Sequence, residues 1–174
     1  SHFSYGKVTA AGYEIACFYF EPKNPVGTVL IFHGYLDNSG VLAKLQKQLL
    51  NLNYAVLMVD LPGHGFSSGS RGSINSFSQY GEVAHALIEL HNKVQLTEIL
   101  HVMGHSTGGA VILEQLYAKG KTWSGETILI APLVRSAYWG ISRWGYKLAK
   151  PFATESIRLY RESSHYEPFL TFLR

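Results

Sequence analysis

The stretch Glu98-Ile99-Leu100-His101-Val102-Met103-Gly104-His105-Ser106-Thr107-Gly108-Gly109 decides the fold of this chain. Residues 98–103 form an apolar run that predicts a buried strand, and residues 110–119 have the spacing of a helix that ends at Gly120. Between them, residues 104–108 match the pattern G-x-S-x-G, which places a serine in a tight turn between a strand and a helix. We therefore predict that Ser106 adopts a strained backbone conformation and that its hydroxyl stands clear of the sheet.

Strands and helices alternate along the chain around this stretch. The hydrophobic pattern predicts a hairpin, three further buried strands and two further helices: Lys7–Ala11 with Glu14–Phe20; Thr28–Phe32, Tyr54–Val59 and Thr127–Ile130; Val41–Leu50 and Ser76–Lys93. This alternation predicts an α/β fold with a mostly parallel sheet and helices on both faces. The alternation stops after Leu133, and the aromatic-rich segment that follows predicts helices laid over the sheet. We expect residues 1–133 to be the core and residues 134–174 to begin a helical cap, or lid.

Composition excludes several functional classes. The 174 residues are 47% hydrophobic, a globular composition at the size of one domain. The longest apolar runs fall far short of the roughly 20 residues of a spanning helix, and no signal peptide is visible at the N-terminus, so we expect a cytoplasmic protein. The net charge of +3, without a basic run, argues against nucleic acid as a partner.

The sequence contains a single cysteine, Cys17, which excludes an internal disulfide and a zinc site built from cysteines. We expect no metal and no cofactor.

Two backbone N–H groups are candidates for an oxyanion hole. The strand–turn–helix around Ser106 is called here the nucleophile elbow. The helix that follows it directs its first N–H groups toward Ser106, which makes the N–H of Thr107 one donor. His33-Gly34-Tyr35 ends a buried strand at the same edge of the sheet, and the N–H of Tyr35 is the second. We expect the side chain of His33 to form a structural hydrogen bond to the loop rather than to transfer protons.

Three segments, in this order and at these intervals, resemble the α/β-hydrolase superfamily, and within it the monoacylglycerol lipase and lysophospholipase branch: His33-Gly34-Tyr35, Asp60-Leu61-Pro62-Gly63-His64-Gly65-Phe66-Ser67 and residues 104–109. The resemblance implies that Ser106 is the nucleophile and that Tyr35 and Thr107 supply the oxyanion hole. It also implies that Asp60 is a structural residue of a loop that shapes the site. The branch of this superfamily that uses an aspartate nucleophile, the epoxide hydrolases and dehalogenases, is disfavoured because the nucleophile position holds Ser106.

A serine nucleophile of this kind works in a catalytic triad with an acidic residue and a histidine, and the sequence shows no candidate for either partner in the expected position. In this fold an acid and then a histidine follow the serine in chain order. The sequence after Ser106 contains no Asp, five Glu and one histidine, His165, which falls in the presumed cap. We predict that neither the triad acid nor the triad histidine is in this sequence. The chain then ends within the cap without its last strands and final helix, is inactive by itself, and exposes the edge of strand 127–130 to self-association.

Three functions remain open from the sequence. The first is a serine hydrolase that cleaves a lipid-like carboxylic ester. Trp139, Trp144 and the basic residues beside them would then line an acyl-chain pocket or contact a lipid interface; the alternative is that the aromatic residues pack the cap against the sheet and the basic residues face solvent. The second is a peptidase or thioesterase on the same fold. The third is a noncatalytic fragment that acts as a binding module through its open sheet edge.

Overall fold

The computed structural model describes residues 2–134, which build a sheet of six strands. The strands are β1 (His2–Ala10), β2 (Tyr13–Glu21), β3 (Thr28–Phe32), β4 (Ala55–Val59), β5 (Leu100–His105) and β6 (Thr127–Ile130). Their order in the sheet is β1-β2-β4-β3-β5-β6. The β1–β2 hairpin joins the sheet antiparallel to β4, while β3, β4, β5 and β6 run parallel.

Three α-helices connect the parallel strands: α1 (Ala43–Asn51), which follows a 3-10 turn over Ser39–Leu42, α2 (Ser78–Val94) and α3 (Thr107–Lys119). Helices α2 and α3 cover one face of the sheet and α1 covers the other, so each face has its own apolar cluster. Along β3, Leu30 and Phe32 belong to the first cluster and Val29 and Ile31 to the second. A strand buried on both faces needs apolar residues at every position, and this explains the unbroken run of β3. The predicted α/β fold is confirmed.

The structure departs from the predicted elements at the edges of the sheet. Strand β1 begins at His2 rather than Lys7, because its exposed first half carries no hydrophobic pattern. Strand β6 was predicted to be buried, but it is only partly buried: Ile128 is 36% exposed and Ile130 is 43% exposed. Leu129 packs against the first apolar cluster. Ile128 and Ile130 point to the opposite face and belong to neither cluster of the described residues. The predicted cap and His165 lie outside the described residues, which end at residue 134.

Candidate active site

Ser106 occupies the turn between β5 and α3. Its backbone angles, φ 51° and ψ −113°, lie in a region that L-residues rarely adopt. The N–H of Ser106 donates to the carbonyl of Ile130 at 2.9 Å, and its carbonyl accepts the N–H of Leu133 at 3.0 Å. Within residues 2–134 its side chain makes no capping hydrogen bond to the helix. The strained conformation expected of the G-x-S-x-G turn is therefore present.

Two glycines make this turn sterically feasible. A methyl group on Gly104 would lie 2.4 Å from the backbone carbon of Gly108, and one on Gly108 would lie 2.2 Å from the carbonyl oxygen of Phe32. Both distances are far inside van der Waals contact. The start of α3 thus packs directly on the end of β5 and on the end of β3, and only glycine fits at the two contacts.

The loop after β3 lies beside the serine. A methyl group on Gly34 would lie 3.5 Å from Cβ of Ser106. The N–H groups of Tyr35 and Thr107 donate no hydrogen bond to any residue in the described range. Thr107 is the first residue of α3, where a backbone N–H has no partner within its own helix. Two unpaired donors on adjacent loops are what an oxyanion hole requires.

His33 connects two loops of the site. The N–H of Leu61 donates to its Nε2 at 2.9 Å, so the proton of the neutral ring is on Nδ1, which donates to the carbonyl of Gly34 at 2.7 Å. Burial lowers the pKa of His33 to about 4, against a smaller opposing effect of the Gly34 carbonyl. Both ring nitrogens are engaged and the ring is neutral at pH 7. The predicted structural hydrogen bond is confirmed.

Asp60 organises the loop after β4. The side chain is 1% exposed; its Oδ1 accepts the N–H of Ser39 at 2.7 Å and its Oδ2 accepts the N–H of Phe66 at 2.9 Å. A methyl group on Gly65 would lie 2.0 Å from Oδ2, so the loop wraps tightly around the carboxylate. Two backbone donors satisfy the buried charge without any histidine, as expected of a structural residue.

The aromatic ring of Tyr35 ties the oxyanion loop to the segment between β4 and α2. Its hydroxyl donates to the carbonyl of Gly72 at 3.0 Å, and its ring packs edge-on against His64 at 5.8 Å between centroids. Around this point several apolar side chains are open to solvent: Tyr35, Leu36, Leu133 and Val134 are exposed by 55%, 51%, 43% and 78%. These exposed apolar residues adjoin Tyr35 and, through the Leu133 N–H, the backbone of Ser106.

Three further polar residues lie at the site. His64 belongs to the Asp60–Ser67 segment and His105 to the G-x-S-x-G turn, but the sequence assigned no role at the site to either of them or to Asp37. Asp37 and His64 come from the loops after β3 and β4, and His105 is the last residue of β5. A methyl group on Gly34 would lie 3.0 Å from Oδ2 of Asp37 and 3.2 Å from Nδ1 of His105, which places both beside the oxyanion loop. The position of His105 directly before the serine is the one sequence signal that could have drawn attention to this group.

Neither a metal centre nor a membrane span is found in the described part. No group of three His, Cys, Asp or Glu side chains within residues 2–134 is arranged to hold a metal ion. Over the same range, no helix has the length and apolar character to cross a membrane.

The family model described as serine aminopeptidase, S33, matches residues 23–168. Human monoglyceride lipase is 28% identical over 128 residues, which are 73% of this chain and 42% of that protein. Phospholipase YtpA of Bacillus subtilis is 36% identical over 95 residues, 55% of this chain and 36% of that protein. The chain thus spans about two-fifths of the length of these curated relatives.

Solved structures share the fold. The monoacylglycerol lipase of Paleococcus ferrophilus superposes with a TM-score of 0.64 at 23% identity, over 82% of this chain and 53% of that one. The thioesterase domain from the curacin biosynthetic pathway superposes with a TM-score of 0.61 at 19% identity, over 92% of this chain and 57% of that one. At these identities the likeness supports the fold alone.

Proposed function

Because this chain belongs to the serine aminopeptidase S33 family of α/β-hydrolases, we propose that it is a serine hydrolase that cleaves a carboxylic ester through an acyl-enzyme on Ser106. Within the α/β-hydrolases it lies in the monoglyceride lipase and lysophospholipase branch. The observation that carries the proposal is the strained Ser106 at the start of α3, beside the N–H groups of Tyr35 and Thr107, which have no partner within residues 2–134.

In the proposed mechanism, the hydroxyl oxygen of Ser106 attacks the acyl carbon. The N–H groups of Tyr35 and Thr107 stabilise the negative charge that develops on the carbonyl oxygen, and they do so without reorganising because both loops are fixed by hydrogen bonds. The alcohol leaves with a proton, the acyl group remains on Ser106, and a water molecule then releases the acid and restores the hydroxyl.

The attack needs a general base to take the serine proton. His33 does not fit this role, because both of its nitrogens are hydrogen-bonded to the backbone. We assign the triad acid and histidine to residues outside this sequence, and we do not assign the role to His165. In this proposal the 174-residue chain by itself lacks the base and is inactive.

A lipid-like ester is the substrate class that we propose. Two curated relatives are a monoglyceride lipase and a phospholipase, and exposed apolar side chains of Tyr35, Leu36 and Leu133 lie in the segments next to Ser106. Exposed apolar side chains beside a reacting serine provide contact area for an acyl chain. A peptidase is the second candidate, because the matching family model is described as a serine aminopeptidase.

A substrate panel tests this assignment. Full-length protein and its Ser106→Ala variant are given a long-chain monoacylglycerol, a lysophospholipid of the same acyl chain, an acyl thioester and an aminoacyl amide. We expect the two lipid esters to be hydrolysed, with all hydrolysis lost in the variant. Cleavage of the amide with no cleavage of either ester would replace the esterase by the peptidase. If neither protein cleaves any substrate and Ser106 resists a fluorophosphonate, the noncatalytic binding module is the remaining reading.

A further inference from the structure

Asp37 lies where three loops meet at the carboxyl edge of the sheet. It follows Tyr35 by two residues, and its N–H donates to the carbonyl of Gly34 at 3.3 Å, which closes a tight turn. Burial raises the pKa of Asp37, while the imidazoles of His105 and His64 and the N–H of Gly34 favour its ionised form. The loop after β4 and the last residue of β5 thus each carry an imidazole that acts on one carboxylate on the loop after β3.

The contact between the loops is closest at Gly34. A methyl group on this residue would lie 3.0 Å from Oδ2 of Asp37 and 3.2 Å from Nδ1 of His105. The carboxylate and the imidazole therefore flank the same backbone position, one residue before the Tyr35 N–H. His105 in turn directly precedes Ser106 and lies two residues before Thr107.

We propose that Asp37 is a positioning residue that sets the geometry of the oxyanion hole through its attraction to His105. The pair holds the loop that carries the Tyr35 N–H against the elbow that carries the Thr107 N–H. Both donors must lie about 3 Å from the same oxygen atom, and a displacement of about 1 Å can lower a rate by about 100-fold. This inference rests on the proposed function, since the spacing of the two donors matters only if an oxyanion forms between them.

The charge of the pair is as important as its geometry. A carboxylate this close to Ser106 opposes a developing negative charge unless a cation or dipole offsets it. In this proposal the imidazole of His105, which favours the ionised form of Asp37, is that partner. Loss of His105 alone therefore leaves an unpaired carboxylate beside the oxyanion, whereas loss of both groups removes the repulsion together with the attraction. The double variant should react faster than the His105 variant.

A double-mutant cycle tests this inference on the full-length protein. The measured quantity is the second-order rate constant with which a neutral fluorophosphonate labels Ser106, because the phosphoryl oxygen must enter the same hole. We expect Asp37→Asn to lower this labelling rate constant about tenfold and His105→Gln to lower it about 100-fold. The double variant should label at the rate of Asp37→Asn alone. Asp37→Glu, which restores the charge, should recover part of the rate.

Asn38→Ala is the matched control. Asn38 lies in the same loop, but its side chain accepts the N–H of Gly40 at 2.9 Å as the cap of the 3-10 turn. We expect its labelling rate to stay within about twofold of wild type. The inference is wrong if Asn38→Ala is as slow as Asp37→Asn, if the two losses multiply in the double variant, or if Asp37→Glu recovers nothing. A wild-type protein that is not labelled at all overturns the proposed function, and the positioning role with it.

Discussion

At the scale of single residues, Ser106 combines strain with reactivity. A non-glycine residue at φ 51° and ψ −113° costs about 1–3 kcal/mol, which the surrounding hydrogen bonds to Ile130 and Leu133 offset. The strain is present because a nucleophile must project from the sheet toward its substrate. Replacement of the serine should therefore increase stability when the new residue tolerates this conformation.

Ser106→Gly and Ser106→Ala separate the strain from the loss of the hydroxyl. Both remove the nucleophile, but only glycine relieves the backbone strain. Glycine relieves the backbone strain, but it also raises the conformational entropy of the unfolded chain, which offsets part of this gain. We expect the free energy of unfolding of the glycine variant to exceed that of the alanine variant by about 1 kcal/mol. Urea unfolding at pH 7 measures the difference. An alanine variant as stable as the glycine variant would show that no strain is stored at this position.

His33 makes stability depend on pH. Its pKa is about 4 in the folded protein and 6.5 in an unfolded chain. Between these values the unfolded chain binds a proton that the folded protein does not, so stability is lost as the pH falls from 6.5 toward 4. We expect His33→Gln to reduce the loss of unfolding free energy between pH 7 and pH 4.5 by about 2 kcal/mol.

Urea unfolding of the His33→Gln variant at the two pH values measures this effect. His2→Gln is the control, because His2 lies on the exposed first half of β1. An unchanged pH dependence in the His33 variant, or an equal change in both variants, would contradict a buried neutral imidazole at position 33.

At the scale of elements, the site depends on how closely α3 approaches the strands. The first turn of α3 contacts the end of β3 through Gly108, where a methyl group would lie 2.2 Å from the oxygen of Phe32. No rotamer change can relieve this contact, because the opposing atom belongs to the backbone of a central strand. The close approach also brings the Thr107 N–H near the loop after β3.

Gly108→Ala and Gly6→Ala compare this contact with an open position. Gly6 lies on β1, where a methyl group would have no neighbour within 4 Å. We expect Gly108→Ala to lower the free energy of unfolding by about 3 kcal/mol and Gly6→Ala to change it by less than about 0.5 kcal/mol. Thermal unfolding followed by circular dichroism compares the two variants with wild type. Equal stability of both would mean that α3 can shift away from β3 without cost.

The elements that could be predicted from sequence are those with an unambiguous burial pattern. Strands β3 and β4 were recognisable because both of their faces are covered, so the apolar run has no gap. The start of β1 was not recognisable, because its first residues are exposed on both faces. For β6, the apolar sequence indicated complete burial, but burial depends on neighbouring strands, which a sequence pattern does not contain.

At the scale of the whole molecule, three loops from β3, β4 and β5 meet because these strands are adjacent and parallel. Motifs in the sequence identified Ser106, Asp60 and the His33–Tyr35 turn, and the alternation of strands and helices predicted that this turn and the serine share one edge of the sheet. The order of the strands brings all three to that edge. The positions of Asp37 and His105 around Gly34 could not be predicted from sequence, because they depend on how two separate segments pack together.

The most direct test of the central claim is the intact mass of the protein from its natural source, with and without a fluorophosphonate, followed by mapping of the labelled peptide. We expect one adduct, on the peptide that contains Ser106, and none in the Ser106→Ala variant. A folded protein that gains no mass, or that carries the label on another residue, would contradict the assignment of Ser106 as the nucleophile.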